Sequence, residues 1–235
     1  MAEEYFIVSF DFDGVLAQGY KVKMKYAKEW FGVDLSLDQT KKKGLEGLMK
    51  NLGKNIKYRD LMDPLNEHHI MEYEVPAGCI DALSQLYSQN YRFVVISSRN
   101  DHNYPYALKF IKEKFGGLIK YGHYTRNEPK GRFVKRLKPR VHVDDDISKL
   151  IELFECPVEL VYFRQPENSG QEIPALHKNR IWQAESFADV KVIVERIKYL
   201  HSAICRKENI QNKWTNVERI FKVLHSLSPS EINEL

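Results

Sequence analysis

The chain has 235 residues, of which 43% are hydrophobic and 29% are charged, and its formal net charge of +4 is ordinary for a globular protein with a substantial core. No apolar run is long enough to span a membrane, and the N-terminus lacks the basic and then apolar residues of a signal peptide. Three widely spaced cysteines without a Cys-x-x-Cys motif argue against a disulfide framework or a zinc site, so we expect a cytoplasmic protein.

A nearly continuous apolar run over residues 6–10 predicts a strand that is buried on both faces of a parallel sheet. Asp11 and Asp13 follow this strand, and Gly14 allows a sharp turn beside them. Ligands of open α/β sheets bind at the carboxyl ends of the strands, so two acids at this position favour a role in chemistry. An ordinary acidic turn is the alternative for this motif taken alone.

Residues 17–75 are predicted to be helical. Ser36 and Gln39 have the spacing of a capping box, and Gly32 and Gly53 follow two of the expected helices. The apolar residues that recur at helical spacing are Met24, Ala27, Trp30 and Phe31, then Leu45, Leu48, Met49 and Leu52, then Leu61, Met62 and Leu65.

From residue 76 onward, helical and strand patterns alternate, which predicts a doubly wound parallel sheet of the α/β class. Helices are expected around residues 80–87, 107–115 and 147–154. Strands are expected over residues 91–96, 119–124, 140–143 and 158–163. Two further helical stripes lie over residues 187–200 and from Trp214 to Leu224.

Four polar motifs occur in a fixed order along the chain. They are Asp11 and Asp13 after the first strand, Ser97 after the strand at 91–96, Lys130 at the start of a helix, and the pair Asp144 and Asp145 after the strand at 140–143. This order resembles the four motifs of the haloacid dehalogenase superfamily of phosphatases over about residues 5–165. The resemblance implies a Rossmann-like core over residues 1–16 and 76–200, a helical cap over residues 17–75, and a C-terminal helical extension over residues 201–235.

The resemblance implies a magnesium-dependent phosphomonoester hydrolase. Asp11 would be the nucleophile that forms an aspartyl phosphate, and Asp13 would be the general acid and base, a role worth about 10² to 10⁴ in rate. Ser97 would donate a hydrogen bond to the phosphoryl group, and Lys130 would neutralise its charge. Lys135 is the second candidate for that lysine.

Magnesium is the cofactor expected between these carboxylates, because it prefers oxygen ligands and neutralises the repulsion between them and a phosphate. Its expected ligands are Asp11, the backbone carbonyl of Asp13, and one or both of Asp144 and Asp145, with Asp145 the firmer of the two by resemblance. We expect Asp146 to cap the following helix.

A small phosphorylated substrate is the expected partner, and Lys41, Ser98 and Arg99 are candidates to contact it. The run Phe163-Arg-Gln-Pro-Glu-Asn168 with Arg180-Ile-Trp182 resembles the closing segment of cytosolic and mitochondrial deoxyribonucleotidases, with Glu167 in place of a tryptophan. This resemblance implies a nucleoside monophosphate substrate.

Two alternatives remain open from the sequence. The basic stretch over residues 130–140 favours a phosphatase that acts on nucleic-acid ends. A non-catalytic module that binds a phosphate ligand is the other, although every expected catalytic position is filled. The two C-terminal apolar stripes pack either on the core or on a second copy in a homodimer.

Overall fold

A computed structural model describes residues 5–126, 128–208, 217–226 and 231–232. Six parallel strands form one sheet in the order β3-β2-β1-β4-β5-β6. The strands are β1 (Phe6–Phe10), β2 (Tyr91–Ser97), β3 (Ile119–Tyr124), β4 (Val141–Asp144), β5 (Glu159–Phe163) and β6 (Ile181–Ala184). The predicted doubly wound parallel sheet is therefore confirmed.

The strand order reverses at β1, since β2 lies on one side of it and β4 on the other. Phe10 pairs with Val95 of β2 and with Val143 of β4, so the carboxyl ends of the three strands lie at one level. The Asp11 amide continues this register by donating to the carbonyl of Val143 at 2.8 Å. A crevice at such a reversal is where open α/β sheets bind their ligands.

Nine helices lie in the described part of the chain. They are α1 (Tyr20–Phe31), α2 (Lys42–Asn51), α3 (Tyr58–Pro64), α4 (Cys79–Ser88), α5 (Tyr104–Phe115), α6 (Lys130–Leu137), α7 (Ile147–Ile151), α8 (Phe187–Lys207) and α9 (Val217–Ser226). None of these described helices is both long and apolar enough to cross a membrane.

Residues 17–75, which we call the insert, lie between β1 and α4 and contain α1, α2 and α3 with short 3₁₀ turns and one π-helical turn, Leu65–His69. Gly32 ends α1 in a left-handed conformation, as expected. The two connections to the core are paired, because the Gln18 amide donates to the Glu74 carbonyl at 2.8 Å and the Glu74 amide donates back at 3.2 Å. Both ends of the insert therefore leave the core at one place.

The insert shares its apolar core with the sheet. Leu45 and Leu61 of the insert are fully buried in the same cluster as Phe12 and Phe110 of the core. Burial of a side chain of this size contributes about 1.5–3 kcal/mol. This shared core fixes the insert over the carboxyl end of β1.

The structure differs from the sequence prediction in four places. No strand was predicted at β6, which has four residues on the sheet edge. Helix α7 ends at Ile151, and α8 continues unbroken through residue 200 to Lys207. The predicted capping box of Ser36 and Gln39 is present, with the Ser36 amide donating to Gln39 Oε1 at 3.0 Å, but the turn that it begins is a 3₁₀ turn ahead of α2. Trp214 lies outside the described residues.

Candidate active site

A buried lysine joins two of the acidic motifs at the carboxyl end of the sheet. Lys130 is the first residue of α6, and its side chain is only 2% exposed. Its ammonium lies 2.8 Å from Asp11 Oδ1 and 2.6 Å from Asp144 Oδ2. Lys135 is exposed on the same helix. Of the two candidate lysines, Lys130 is therefore the one that the fold brings to Asp11.

Two polar residues beneath Asp144 extend this contact into the sheet. His142 is completely buried, and its Nε2 lies 3.2 Å from Asp144 Oδ2, while its Nδ1 lies 2.9 Å from Ser9 Oγ. Burial lowers the pKa of His142, although the hydrogen bond to Asp144 opposes this shift. A neutral ring satisfies both contacts when Nε2 donates to Asp144 and Nδ1 accepts from the Ser9 hydroxyl.

Sequence reasoning missed Ser9 and His142. The available signal is that Ser9 is the one polar residue of buried strand β1, that His142 lies between two valines of buried strand β4, and that the sheet register pairs the two directly. A polar group at such a position needs a hydrogen-bond partner, so each implies the other once the pairing of β1 with β4 is known.

The three carboxylates at the strand ends differ in their protonation. Burial, with the nearby charges of Asp144 and Asp13, raises the pKa of Asp11 to about 8 even though Lys130 opposes the shift. Burial raises the pKa of Asp145 to about 7, against the lowering effect of Lys41. Burial also favours neutral Asp144, but Lys130 and His142 together hold its pKa well below the usual range. The charged Lys130 ammonium therefore forms its ion pair with the ionised carboxylate of Asp144.

Asp13 is held by Arg99, which follows β2. Arg99 Nε donates to Asp13 Oδ2 at 2.9 Å, and Nη2 donates to Oδ1 at 2.7 Å. Burial favours the neutral acid, but the charge and hydrogen bonds of Arg99 outweigh it and lower the pKa of Asp13. In this arrangement Asp13 is ionised.

The remaining donors of Arg99 tie it to the insert and to α5. Nη1 donates to Asn66 Oδ1 at 2.9 Å and to the carbonyl of Asn103 at 3.3 Å. Asn66 lies in the π-helical turn of the insert, and such turns are frequent at functional sites. Arg99 thus links the insert to Asp13, and its predicted contact with a substrate stays a prediction.

Asp145 is positioned by contacts from three parts of the chain. Lys41 of the insert lies 3.1 Å from its Oδ2, and Asn168 Nδ2 donates to its backbone carbonyl at 2.8 Å. Gly14, with a φ of +77°, lies so close that a Cβ atom there would be 2.5 Å from the Asp145 carboxyl. The expected cap is also present, because Asp146 accepts from the Ser148 amide at 2.8 Å.

The two serines of the second motif differ in position. Ser97 is buried at the end of β2, and its Oγ accepts from the Arg99 amide at 3.3 Å, which leaves its own proton to donate. Ser98 is exposed.

The donor set fits a divalent cation. One carboxylate oxygen from each of Asp11, Asp144 and Asp145 lies within 4.8 Å of the other two. Asp11 and Asp145 have raised pKa values, so their environment lacks the positive charge needed to ionise both at neutral pH. Clustered carboxylate oxygens of this kind suit magnesium.

Comparison with known proteins supports the fold. Neither the protein-family models nor the curated proteins gave a match. Among solved structures, the chain resembles a haloacid dehalogenase-type hydrolase of Bacillus subtilis bound to magnesium, at 12% identity and a TM-score of 0.57, over 82% of this chain and 100% of that one.

Two other solved structures give the same result. A protein named as a phosphoglycolate phosphatase of Haemophilus somnus matches at 14% identity and a TM-score of 0.56, over 82% and 99% of the two chains. A protein named as a β-phosphoglucomutase of Thermotoga maritima matches at 16% identity and a TM-score of 0.57, over 80% and 98%. The chain therefore has the fold of the haloacid dehalogenase-type hydrolases.

Proposed function

We propose that the protein is a magnesium-dependent phosphomonoester hydrolase of haloacid dehalogenase type. The observation that carries this proposal is the cluster of carboxylates from Asp11, Asp144 and Asp145, with Lys130 in contact with the first two, at the reversal point of a parallel sheet. The fold supports it, because solved proteins of this fold are named as phosphatases and hydrolases.

Asp11, Asp145 and the backbone carbonyl of Asp13 are the residues that would hold magnesium. Asp144 lies within reach as well, but its closest contacts are with Lys130 and His142, so its main role is to anchor the lysine. When bound, magnesium supplies the positive charge that lets a phosphate approach several carboxylates.

In the first step, a carboxylate oxygen of Asp11 attacks phosphorus while the bond from phosphorus to the ester oxygen breaks. Asp13 gives its proton to the departing oxygen, so an alcohol leaves and an aspartyl phosphate remains. In the second step, Asp13 takes a proton from water, the resulting oxygen attacks phosphorus, and phosphate leaves. Asp11 is then a free carboxylate and Asp13 is again protonated.

The contact between Arg99 and Asp13 must change before Asp13 can act as an acid in this cycle. Asp13 must be protonated before it can act as an acid, yet the two hydrogen bonds from Arg99 keep it ionised. We infer that a phosphorylated substrate draws the guanidinium away from Asp13, in line with the substrate-binding role expected for Arg99. Ser97 and Lys130 would hold the phosphoryl oxygens, with Ser98 and Lys41 at the edge of the site.

The insert is proposed to act as the cap that chooses the substrate and excludes water, over a core formed by residues 1–16 and 76–200. It supports this role by bringing Lys41 and Asn66 into contact with Asp145 and Arg99. Residues 201–235 would form the C-terminal extension, on the core or in a homodimer.

Nucleoside monophosphates are the first proposed substrates. Part of the segment that resembles the deoxyribonucleotidases supports this proposal, because Asn168 donates to the backbone carbonyl of Asp145 and because the neighbouring Gln165 and Glu167 are buried. A cytoplasmic location is proposed from the wide spacing of the three cysteines in the sequence, and all three are buried.

A phosphatase of nucleic-acid ends is the second candidate. Within the basic stretch at 130–140, Lys130 and Arg140 are buried, and the exposed basic residues are Arg132, Lys135, Arg136 and Lys138. Affinity for an oligonucleotide that falls steeply with salt would support this candidate, and no binding at low salt would remove it.

The test is phosphate release from nucleotides, sugar phosphates and oligonucleotides phosphorylated at the 3′ or 5′ end, with magnesium and with a chelator. We expect release that requires magnesium and that disappears in Asp11→Asn, while circular dichroism shows that the variant is folded. Undiminished turnover by this variant would exclude the aspartyl phosphate. No release from any ester by the folded parent would favour a non-catalytic binding module.

A further inference from the structure

The turn that follows β5, residues 165–168, contacts both the insert and the candidate metal ligand Asp145. Gln165 and Asn168 of this turn are 4% and 2% exposed, so both polar side chains lie inside the protein. Neither has a part in the proposed phosphate chemistry. Buried polar side chains need hydrogen-bond partners, and those of this turn belong partly to the core and partly to the insert.

On the core side, the Asn168 side chain joins the ends of two strands. Its Nδ2 donates to the carbonyl of Asp145 at 2.8 Å and to that of Phe163 at 3.3 Å, while its Oδ1 accepts from the Gln165 amide at 2.6 Å. The pairing of β4 with β5 ends one residue before Asp145 and Phe163. The Asn168 amide therefore connects the two chains where the pairing of these strands has ended, and it fixes the backbone from which the Asp145 carboxyl extends.

Three side chains of the insert contact the same turn. Gln18 Nε2 donates to Gln165 Oε1. The Lys23 ammonium lies 3.9 Å from Glu167 Oε2, and the Thr40 hydroxyl lies 3.0 Å from the same oxygen. Lys23, Thr40 and Glu167 are all buried, so water and salt screen these contacts only weakly. The position of the insert therefore influences the position of the turn.

These contacts connect the insert to the candidate metal site without a gap. The three insert side chains hold the turn, and Asn168 of the turn holds Asp145. A metal ligand binds well when its oxygen is already placed for the cation, and the groups that hydrogen-bond the ligand residue set that placement. The direct contact of Lys41 with Asp145 has the opposite effect, because its ammonium repels a cation.

We propose that Asn168 is a positioning residue through which the insert raises the affinity of the site for magnesium. The insert places the turn at 165–168, and Asn168 places the Asp145 carboxyl for the cation. Linkage requires the reverse effect as well, so magnesium bound at Asp145 holds the insert more firmly against the turn. This inference rests on the magnesium site of the proposed function and deepens it by giving the insert control over that site.

The first experiment measures the magnesium dissociation constant of the full chain by titration calorimetry without substrate. Asn168→Ala should weaken binding by about 10-fold or more, the usual effect of removing a group that orients a metal ligand. Asn90→Ala is the matched control. Asn90 has a left-handed φ of 67° and precedes the amino end of β2, so alanine there destabilises the fold at the end of the sheet opposite to Asp145. Its dissociation constant should equal that of the parent.

The second experiment removes contacts to the turn from the insert. Gln18→Ala and Thr40→Val change residues that are not proposed to touch the cation, yet each should weaken magnesium binding. Neither should weaken it further when Asn168 is already alanine, because residues that act along one route are not additive. Gln18 is partly exposed, so Gln18→Ala tests the inference even if Asn168→Ala does not fold.

Hydrogen exchange measures the reverse effect. Magnesium at a saturating concentration should slow the exchange of amides at residues 37–40 of the insert in the parent, and this slowing should be lost in Asn168→Ala. If Asn168 only stabilised the fold, its replacement would change exchange equally with and without magnesium, and the slowing by magnesium would persist.

The outcomes separate the inference from the function on which it rests. No magnesium binding by the folded parent overturns the proposed magnesium site, and the inference with it. Binding by the parent that is equally tight in Asn168→Ala and Gln18→Ala overturns the inference alone, as does an equal loss of affinity in Asn90→Ala and Asn168→Ala. If these variants behave as expected but the parent releases phosphate from no ester, the hydrolase function is wrong and the inference stands.

Discussion

Arg99 donates hydrogen bonds to both carboxylate oxygens of Asp13, at 2.9 Å and 2.7 Å, while its third nitrogen donates to Asn66 of the insert. The side chain of Arg99 is 6% exposed and that of Asp13 is 41% exposed, so the buried partner in the pair is the cation. A bidentate contact of this kind fixes geometry as well as charge. The proposed acid of the reaction is therefore held by a residue that also contacts the insert.

Replacing Arg99 by methionine should lower the free energy of unfolding at pH 7 by about 1.5–3 kcal/mol, because it removes two hydrogen bonds to a charged group. Arg99 depresses the pKa of Asp13 below 3.8, so its contribution is present above about pH 4 and is lost as pH falls through the pKa of the folded state. Urea unfolding of the parent, Asp13→Asn, Arg99→Met and the double variant at pH 7 and pH 3 measures the coupling. Equal coupling at both values of pH would contradict the pairing.

Magnesium should stabilise the protein more at pH 8.5 than at pH 6. The raised pKa values of Asp11, about 8, and Asp145, about 7, mean that the folded protein without metal binds more protons than the unfolded chain. Asp11 and Asp145 therefore lower the free energy of unfolding of the metal-free protein as pH rises from about 4 to about 8. Magnesium must displace the protons on these two carboxyls, so it binds more tightly at the higher pH.

The rise in melting temperature with magnesium at the two values of pH measures this effect. Asp145→Asn should remove most of the rise. Asp146→Asn is the control, because Asp146 accepts from the Ser148 amide and asparagine caps helices equally well. A rise that does not depend on pH would argue against these carboxylates as the metal ligands.

His142→Phe should lower kcat by about 10- to 100-fold with little change in KM, because His142 acts on the site only through Asp144 and Lys130. His142→Gln should recover most of the loss, since its amide can still donate to Asp144. Ser9→Ala should have a smaller effect than His142→Phe. Steady-state kinetics of the three variants checks the order, and equal losses for phenylalanine and glutamine would show that only packing matters.

Gly14→Ala should destabilise the fold and also weaken the response to magnesium. The left-handed φ of +77° costs a residue with a Cβ atom about 1–2 kcal/mol, and that atom would lie 2.5 Å from the Asp145 carboxyl. Gly53→Ala is the matched control, because Gly53 has a φ of +67° with nothing near its Cβ position. Thermal unfolding should show a similar backbone cost for both variants and a lost magnesium response only for Gly14→Ala.

The sheet and the acidic strand ends were predictable because apolar runs followed by acids are local patterns. Strand β6 was not, since four residues on a sheet edge carry too weak a pattern for periodicity to detect. Lys130 and Lys135 lie on one short helix, and only its packing against the sheet decides which of them is buried. Such packing depends on contacts between distant parts of the chain.

The contacts that Arg99 makes within the protein could not be predicted from its motif. Its position after β2 predicts a phosphate contact, which stays a prediction, but that position does not indicate which protein groups so long a side chain will reach. Its actual direction depends on Asn66, 33 residues earlier, and on Asp13, 86 residues earlier. Neither contact leaves a pattern in the neighbouring sequence.

Because the backbones of Gln18 and Glu74 pair, the two chain connections between the insert and the core lie side by side. A segment whose two ends meet can be exchanged without rerouting any strand of the sheet. A different insert would replace Lys23, Lys41 and Asn66 together and would leave Asp11, Lys130 and Asp144 of the core unchanged. If the insert selects the substrate, as proposed, exchanging it at these two residues together with its buried apolar side chains would exchange substrate preference between chains of this fold.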